Sequence, residues 1–285
     1  MTRPIALLHP GEMGAAIGAC AHAAGYPVGW VAEGRSDATR NRAHKAELKT
    51  FPTLGDLIGN TDIVISICPP SVADRTASEV AKFGFKGIYL DANAISPRSA
   101  EAVAGIVEAG GASYVDGGII GPPPYADGTT RLYLSGARAA ETAAYFAGSK
   151  LEAIDIGGHR TAASALKMCY AAWTKGSSAL LLAVRALARA EGVEDALCEE
   201  WHRSQPGLES NSESAASLNA AKAWRFVDEM QEIACTFDDR RLSGDYHRAA
   251  AQTYASLAAY KDVSPPPTLD EVLQTMLAAR DDAPA

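Results

Sequence analysis

Lys167 is the residue in this sequence whose surroundings best suit proton transfer. The neighbouring residues on its proline-free segment are apolar: Ala163, Leu166, Met168 and Ala171. This pattern predicts a buried place on a helix, where burial lowers the pKa of an ammonium toward neutrality. Such a lysine can donate a proton to a carbonyl oxygen or accept one from a hydroxyl. The alternatives are a lysine that reaches solvent and one that pairs with a carboxylate.

A glycine turn near the start of the chain has the composition of a pyrophosphate-binding loop. The apolar run of residues 4–8 leads into Pro10-Gly11-Glu12-Met13-Gly14, and an alanine-rich segment follows. A turn of this kind at the start of a helix offers backbone N–H groups and the positive end of the helix dipole. Gly11, Gly14 and Gly18 fit the later positions of the dinucleotide fingerprint, whereas His9 stands where its first glycine is usual. The alternative is a turn that only packs helix on strand.

The residues after the second predicted strand bear on which nicotinamide nucleotide fits. An acid at this place binds the ribose hydroxyls of NAD, whereas Arg and Ser bind the 2′-phosphate of NADP. Glu33 is followed here by Arg35 and Ser36, with Arg40 one turn on. We expect NADP, with NAD as the alternative, because two phosphate partners outnumber one acid. For Arg40 itself, ordinary surface charge is the preferred interpretation.

The elements that position these residues divide the chain into two halves. Of the 25 glycines, 21 lie between Gly11 and Gly158. In that half, predicted helices alternate with strands at residues 4–8, 28–32, 61–67, 86–91, 114–116, 130–134 and 151–156, which indicates a parallel, doubly wound sheet. The later half predicts helices at residues 162–191, 193–203, 215–234, 246–260 and 269–280, with a loop at 204–217. The expected fold is an α/β Rossmann domain, residues 1–158, followed by an all-α substrate and dimerisation domain, residues 159–285.

Composition excludes several classes of partner. The formal net charge of −8 argues against nucleic-acid binding. The five cysteines form no CxxC pair and the histidines have no ligand spacing, so we expect a cytoplasmic protein without a metal. Lys175 and Arg185 interrupt the most apolar stretch, which excludes a membrane span. Residues 162–191 are apolar on nearly every side, which predicts a helix buried all round and a homodimer.

The motifs follow one another as in the β-hydroxyacid dehydrogenase superfamily, which includes 3-hydroxyisobutyrate and 6-phosphogluconate dehydrogenases. The segments that resemble its motifs are residues 9–14 (HPGEMG), 62–69 (DIVISICP), 91–97 (DANAISP) and 116–121 (DGGIIG), and Lys167. Residues 223–230 and 246–251 look like a C-terminal domain of unknown function appended to such Rossmann domains. The resemblance implies that Lys167 is catalytic. It also implies that Pro10 to Gly14, Cys68, Pro69 and Asn93 line the cofactor.

The substrate side departs from the family pattern. Asn93 and Ala94 stand where Ser-Thr is usual, and Tyr170 and Ala171 stand where asparagines follow the lysine. Both changes remove groups that hold a hydroxyacid. The expected substrate contacts are Asn93, Ser96, Gly117, Gly118, Tyr170 and His247. Alternatives are a turn-forming role for Asn93, a helix cap for Ser96 and core packing for Tyr170.

These observations predict an NAD(P)-dependent oxidoreductase, with preference for NADPH, that acts on a small carbonyl or hydroxy-acid compound. Lys167 is its expected general acid and base. Two alternatives stay open. One is an imine reductase. The imine reductases that this chain resembles generally have Asp or Tyr at the position of Lys167, so the lysine argues against this alternative. The other is a non-catalytic NADP-binding protein.

Overall fold

Short apolar runs in the first part of the chain form one eight-stranded sheet. The strands are β1 (Ile5–Leu7), β2 (Val28–Val31), β3 (Lys49–Phe51), β4 (Ile63–Ser66), β5 (Ile88–Asp91), β6 (Ser113–Ile120), β7 (Thr130–Ser135) and β8 (Leu151–Asp155). Their order is β3-β2-β1-β4-β5-β6-β7-β8. The first six strands run parallel, in the order that doubly wound nucleotide-binding folds use. The computed structural model describes residues 3–261 and 263–281.

Helices cover both faces of this sheet. They are α1 (Glu12–Ala23), α2 (Asp37–Lys45), α3 (Leu54–Gly59), α4 (Ala73–Ala81), α5 (Pro97–Gly110) and α6 (Ala139–Ala144). Successive strand residues point to opposite faces, so Ile5 and Leu7 join one apolar cluster and Ala6 joins the other. Because both faces are buried, the central strands β1, β4 and β5 are apolar except for Ser66 and Asp91 at their carboxyl ends.

Each of the seven predicted strands is present, but the sheet prediction needs two corrections. β3 was not expected, because it is a three-residue edge strand whose Lys49 and Thr50 are exposed. A wholly parallel sheet was wrong, since β7 runs antiparallel to β6 and β8 runs with β7. The connection of residues 121–129 is too short for the crossover that a parallel pair needs.

The second part of the chain is helical. Its helices are α7 (Ala162–Ala190), α8 (Glu194–Ser204), α9 (Leu208–Asn219), α10 (Ala223–Asp239), α11 (Asp245–Ala255) and α12 (Leu269–Asp281). The loop expected at residues 204–217 is wrong. α9 occupies most of this range, and its Ser210, Ser212 and Ser217 are accommodated because their hydroxyls donate to carbonyls of the preceding turn. The predicted fold class, a Rossmann-type α/β region followed by an all-α region, is confirmed.

The chain divides into two compact units, Met1–Met168 and Cys169–Ala285, and the division falls within α7. The boundary predicted at residue 158 lies before α7, and residues 282–285 of the predicted helical domain lie outside the described residues. The expectation that α7 is buried all round is wrong for the single chain, since Trp173 is 75% and Leu187 61% exposed. In the part of the chain that the structure describes, no helix is both long and apolar enough to cross a membrane.

Candidate functional site

The glycine turn between β1 and α1 has an open, donor-rich face. Gly11 is the N-cap of α1, and no side chain caps it. The N–H groups of Glu12, Met13 and Gly14 have no acceptor among the described residues. A Cβ on Gly11 would meet nothing within 4 Å, whereas one on Gly14 would collide with the carbonyl oxygen of His9. Gly14 therefore serves the tight turn, and Gly11 leaves space in which an anion fits against the helix N-terminus.

His9 gives this turn a second unused polar group. Its Nδ1 is buried and has no hydrogen-bond partner in the described chain. Burial, and after it the charge of Arg35, lowers the pKa of the imidazole to about 4, so the ring is neutral at pH 7. Buried polar atoms in folded proteins are nearly always satisfied. A ligand bound at the turn is one source of the missing partner.

Arg35 lies against the same turn. Its guanidinium donates from Nη2 to the carbonyl oxygen of Leu8 at 3.3 Å, which brings the residues after β2 to the end of β1. Ser36 is the N-cap of α2, and its hydroxyl accepts the N–H of Thr39 at 3.3 Å. Glu33 is exposed. Among the residues predicted to choose between NAD and NADP, Arg35 therefore has a direct contact with the residue that follows β1.

Asn93 joins the loops that follow β4 and β5. Its Oδ1 accepts the N–H of Cys68 at 2.6 Å, and its Nδ2 donates to the hydroxyl of Ser66 at 3.3 Å. Its own N–H donates to Asp91 Oδ1 at 2.9 Å. Burial raises the pKa of the Cys68 thiol to about 11, so the thiol is neutral. Asn93, Cys68 and Pro69 therefore lie at the carboxyl edge of the sheet, and their contacts with a cofactor stay predictions.

Lys167 reaches the same edge from the first turns of α7. Its Nζ donates to the carbonyl oxygen of Ile119 at 2.7 Å. No carboxylate among the described residues forms an ion pair with it, and burial lowers the pKa of its ammonium to about 8. Asp91, the last residue of β5, pairs with Asp116 on β6, so Ile119 lies beyond the carboxyl end of β5. Ligands of doubly wound folds bind at this end.

Gly117 and Gly118 lie within β6, where they pair with Leu134 and Tyr133 of β7. A Cβ on Gly118 would stand 2.6 Å from the carbonyl oxygen of Ala163, and one on Gly117 would stand 3.0 Å from that of Asp91. Both glycines therefore let neighbouring backbone approach closely. This packing explains their presence, and their substrate contacts stay predictions.

The remaining predicted substrate residues have local roles of their own. Ser96 is the buried N-cap of α5, which agrees with the cap alternative. Tyr170 and His247 belong to the second compact unit. Tyr170 is 46% exposed, whereas His247 is buried with its ring 4.5 Å from that of Phe237 and 5.2 Å from that of Tyr246. Their contacts with a substrate stay predictions.

The sequence did not indicate the roles of two buried acids. Asp116 accepts hydrogen bonds from Ser135 and Ser164, and Asp91 Oδ2 has no partner within the described chain. Burial raises the pKa of Asp91 to about 7 despite the bond from Asn93. The only available signal was their position at the carboxyl ends of buried strands, where doubly wound folds place functional groups. Within the residues described, no group of three or more His, Cys, Asp or Glu could hold a metal ion.

Known proteins with similar sequences and structures agree with this architecture. Residues 188–257 match a family described as a domain of unknown function, DUF1932. A relative from Methanothermus fervidus, an uncharacterized 28.5 kDa protein in the 7S RNA 5′ region, is 33% identical over 175 residues. That match covers 59% of this chain and 64% of the relative, so the chain spans less than two thirds of the relative's length.

Solved structures match over nearly the whole chain. A conserved hypothetical protein from Sinorhizobium meliloti 1021 is 25% identical, with a TM-score of 0.67 and coverage of 98% of this chain and 97% of that one. Mycobacterium tuberculosis 3-hydroxyisobutyrate dehydrogenase, solved with L-serine, is 20% identical, with a TM-score of 0.70 and coverage of 97% and 99%. The chain has the β-hydroxyacid dehydrogenase fold. The predicted resemblance is therefore confirmed at the level of this fold.

The C-terminal part of this β-hydroxyacid dehydrogenase fold carries the DUF1932 match. Residues 223–230 and 246–251, which resembled a C-terminal domain of unknown function, both lie in the matched range. That expectation is confirmed. A reductive aminase from Aspergillus terreus, solved with NADPH and ethyl levulinate, shares the fold at 16% identity, with a TM-score of 0.56 and coverage of 96% of this chain and 99% of that one.

Proposed function

We propose that this protein is an NADPH-dependent oxidoreductase that acts on a small carbonyl or hydroxy-acid compound, with Lys167 as general acid and base. The observation that carries the proposal is the setting of Lys167. Its ammonium has one carbonyl partner and no carboxylate in the described chain, and it lies at the sheet edge that holds the open glycine turn. The β-hydroxyacid dehydrogenase fold supports the same reaction class.

The residues at the sheet edge suit a dinucleotide. The free N–H groups of Glu12, Met13 and Gly14 would hold its pyrophosphate, and Pro10 and Gly11 shape the turn. Arg35 would bind a 2′-phosphate, because a guanidinium forms charge-assisted hydrogen bonds with phosphate oxygens. Ser36, Cys68, Pro69 and Asn93 would border the cofactor. When bound, this group supplies or accepts the hydride.

Proton transfer falls to Lys167. With a pKa of about 8, most of the side chain is protonated at pH 7, so it can donate a proton to a carbonyl oxygen as that oxygen gains negative charge. In the opposite direction the neutral amine accepts the hydroxyl proton. Reduction therefore needs the protonated lysine and slows as the pH rises through about 8, whereas oxidation speeds up over the same range.

We also propose substrate contacts from Asn93, Ser96, Gly117, Gly118, Tyr170 and His247.

We further propose that the protein is a homodimer. Trp173, Leu180 and Leu187 recur at seven-residue spacing and leave one apolar face of α7 exposed. The five cysteines are all free, which supports a reducing, cytoplasmic setting.

The test combines cofactor titration with turnover. Quenching or enhancement of NADPH fluorescence measures binding, and a panel of small aldehydes, ketones, keto acids and cyclic imines measures oxidation of NADPH. Lys167→Ala should bind NADPH normally and lose about 10²–10⁴-fold in kcat. Lys82→Ala, an exposed lysine after α4, is the matched control. Unchanged turnover of Lys167→Ala contradicts the proposal. Turnover of cyclic imines alone indicates an imine reductase, and tight binding with no turnover indicates a non-catalytic protein.

A further inference from the structure

Asp116 holds the first turn of α7 against the sheet. Its carboxylate accepts the N–H of Ser164 at 2.7 Å, the hydroxyl of Ser164 at 2.5 Å and the hydroxyl of Ser135 at 3.2 Å. The hydroxyl of Ser135 in turn accepts the N–H of Ala163 at 3.0 Å. The first N–H groups of a helix have no partner within the helix, and a carboxylate is favoured there by the helix dipole. Asp116 is fully buried, so water does not replace these bonds.

The next residues of β6 carry the contact on to Lys167. Gly118 faces α7 so closely that a Cβ would stand 2.6 Å from the carbonyl oxygen of Ala163 and 3.2 Å from Lys167 Cβ. Ile119 then accepts the hydrogen bond from Lys167 Nζ. Ser164 and Lys167 are three residues apart on the helix and so lie on the same face. β6 thus contacts one turn of α7 at three points, which are Asp116, Gly118 and Ile119.

We propose that Asp116 is the positioning residue for Lys167: it fixes the start of α7, Gly118 sets the distance between helix and strand, and Ile119 receives the ammonium. The proposal rests on the proposed function, since it assigns a role in that same site. Asp91, the neighbour of Asp116 on β5, makes no described contact with α7, so the anchoring falls to Asp116 alone of the two acids.

Two readouts together test the positioning role. The first is the pKa of Lys167 itself, measured by competitive acetylation with acetic anhydride across a pH series and read by peptide mass spectrometry. The second is kcat for NADPH-dependent reduction, beside the dissociation constant of NADPH. Circular dichroism and thermal unfolding confirm that each variant is folded before it is compared.

Asp116→Ala should release the first turn of α7 and admit water to Lys167. We expect the labelling pKa of Lys167 to rise toward the ordinary lysine value and kcat to fall about tenfold or more, while the NADPH dissociation constant stays unchanged. Asp116→Asn keeps an acceptor for the Ser164 N–H, and its amide can donate to hydroxyls that reverse their own bonds. This conservative variant should therefore restore most of kcat and the low pKa.

Gly118→Ala tests the same packing of β6 against α7 without removing a charged side chain. Its Cβ should push α7 from β6 and change the labelling pKa and kcat in the same direction as Asp116→Ala. Gly105→Ala on α5, where a Cβ would meet nothing within 4 Å, is the matched control. If Asp116→Ala does not fold, Asp116→Asn and Gly118→Ala test the positioning of Lys167 in its place.

The positioning role is overturned if folded Asp116→Ala keeps the labelling pKa and kcat of the natural protein, or if Gly118→Ala behaves like Gly105→Ala. The two proposals fail in different ways. A natural protein that turns over no substrate contradicts the proposed function. The acetylation pKa still decides whether Asp116 and Gly118 position Lys167.

Discussion

Replacing Lys167 by methionine should alter stability in a pH-dependent way that reports on the buried ammonium. Burial lowers the pKa of Lys167 from 10.5 to about 8. At 1.36 kcal/mol for each pKa unit, the charged lysine costs the folded state about 3 kcal/mol at pH 7. Methionine removes this cost, but it leaves the carbonyl of Ile119 without its donor, which costs about 1–3 kcal/mol. The change in the free energy of unfolding at pH 7 is thus a difference between two contributions of similar size.

The pH dependence separates these terms. Because the folded pKa lies below the unfolded one, the unfolded chain holds more protons between about pH 8 and pH 10.5, and the natural protein gains stability as the pH rises. The cost of the charge falls from about 3 kcal/mol at pH 7 to about 1 kcal/mol at pH 9.5. The stability of Lys167→Met relative to the natural protein should therefore drop by about 2 kcal/mol over this range.

Urea unfolding at the two pH values, followed by circular dichroism, measures this change. Lys82→Met at an exposed position is the control and should show no such dependence. Kinetics on the same protein should show kcat lower by about 10²–10⁴-fold. A stability difference between Lys167→Met and the natural protein that is the same at both pH values would refute the depressed pKa and, with it, the reasoning for Lys167 as a proton donor at neutral pH.

Three further predictions concern the cofactor site and assembly. Arg35→Ala should weaken NADPH binding about 10–100-fold and leave NADH binding unchanged, because only the 2′-phosphate loses a charged partner; equal losses for both nucleotides in fluorescence titrations would argue against the assignment. Gly11→Ala should fold normally, since its φ of −64° and ψ of −168° suit alanine and its Cβ meets nothing, yet it should bind NADPH more weakly. Unchanged affinity would place the pyrophosphate elsewhere. Trp173→Glu with Leu187→Glu should convert a homodimer to a monomer in light scattering, because both side chains are exposed on α7; a natural protein that is monomeric would contradict the proposed dimer.

Local patterns were enough to predict the strands and helices around the glycine turn. The glycine turn, the strand before it and the helix after it are adjacent in sequence, and the burial of Lys167 follows from its apolar neighbours on one helix. The resemblance to a known superfamily added the order of the motifs. The structure has the fold that the resemblance implies.

Features that depend on residues far apart in the chain could not be predicted from the sequence. Asp116 and Ser164 are 48 residues apart, and nothing in either segment indicates their bond. The predicted strand ended at residue 116, before Gly117 and Gly118, although both glycines are strand residues that allow close packing. The serines of α9 suggested a loop because serine is common in turns, whereas in the structure their hydroxyls bond carbonyls of the preceding helical turn. α7 was read as buried because an apolar sequence does not reveal which face is left exposed.

The pH profile of kcat/KM for NADPH-dependent reduction of the best carbonyl substrate tests the role of Lys167 most directly. We expect a falling limb near pH 8, where Lys167 loses its proton, and no such limb in the residual activity of Lys167→Ala. A natural protein whose kcat/KM stays constant through this range, or a Lys167→Ala variant with the same profile and rate, would contradict the assignment of Lys167 as the general acid.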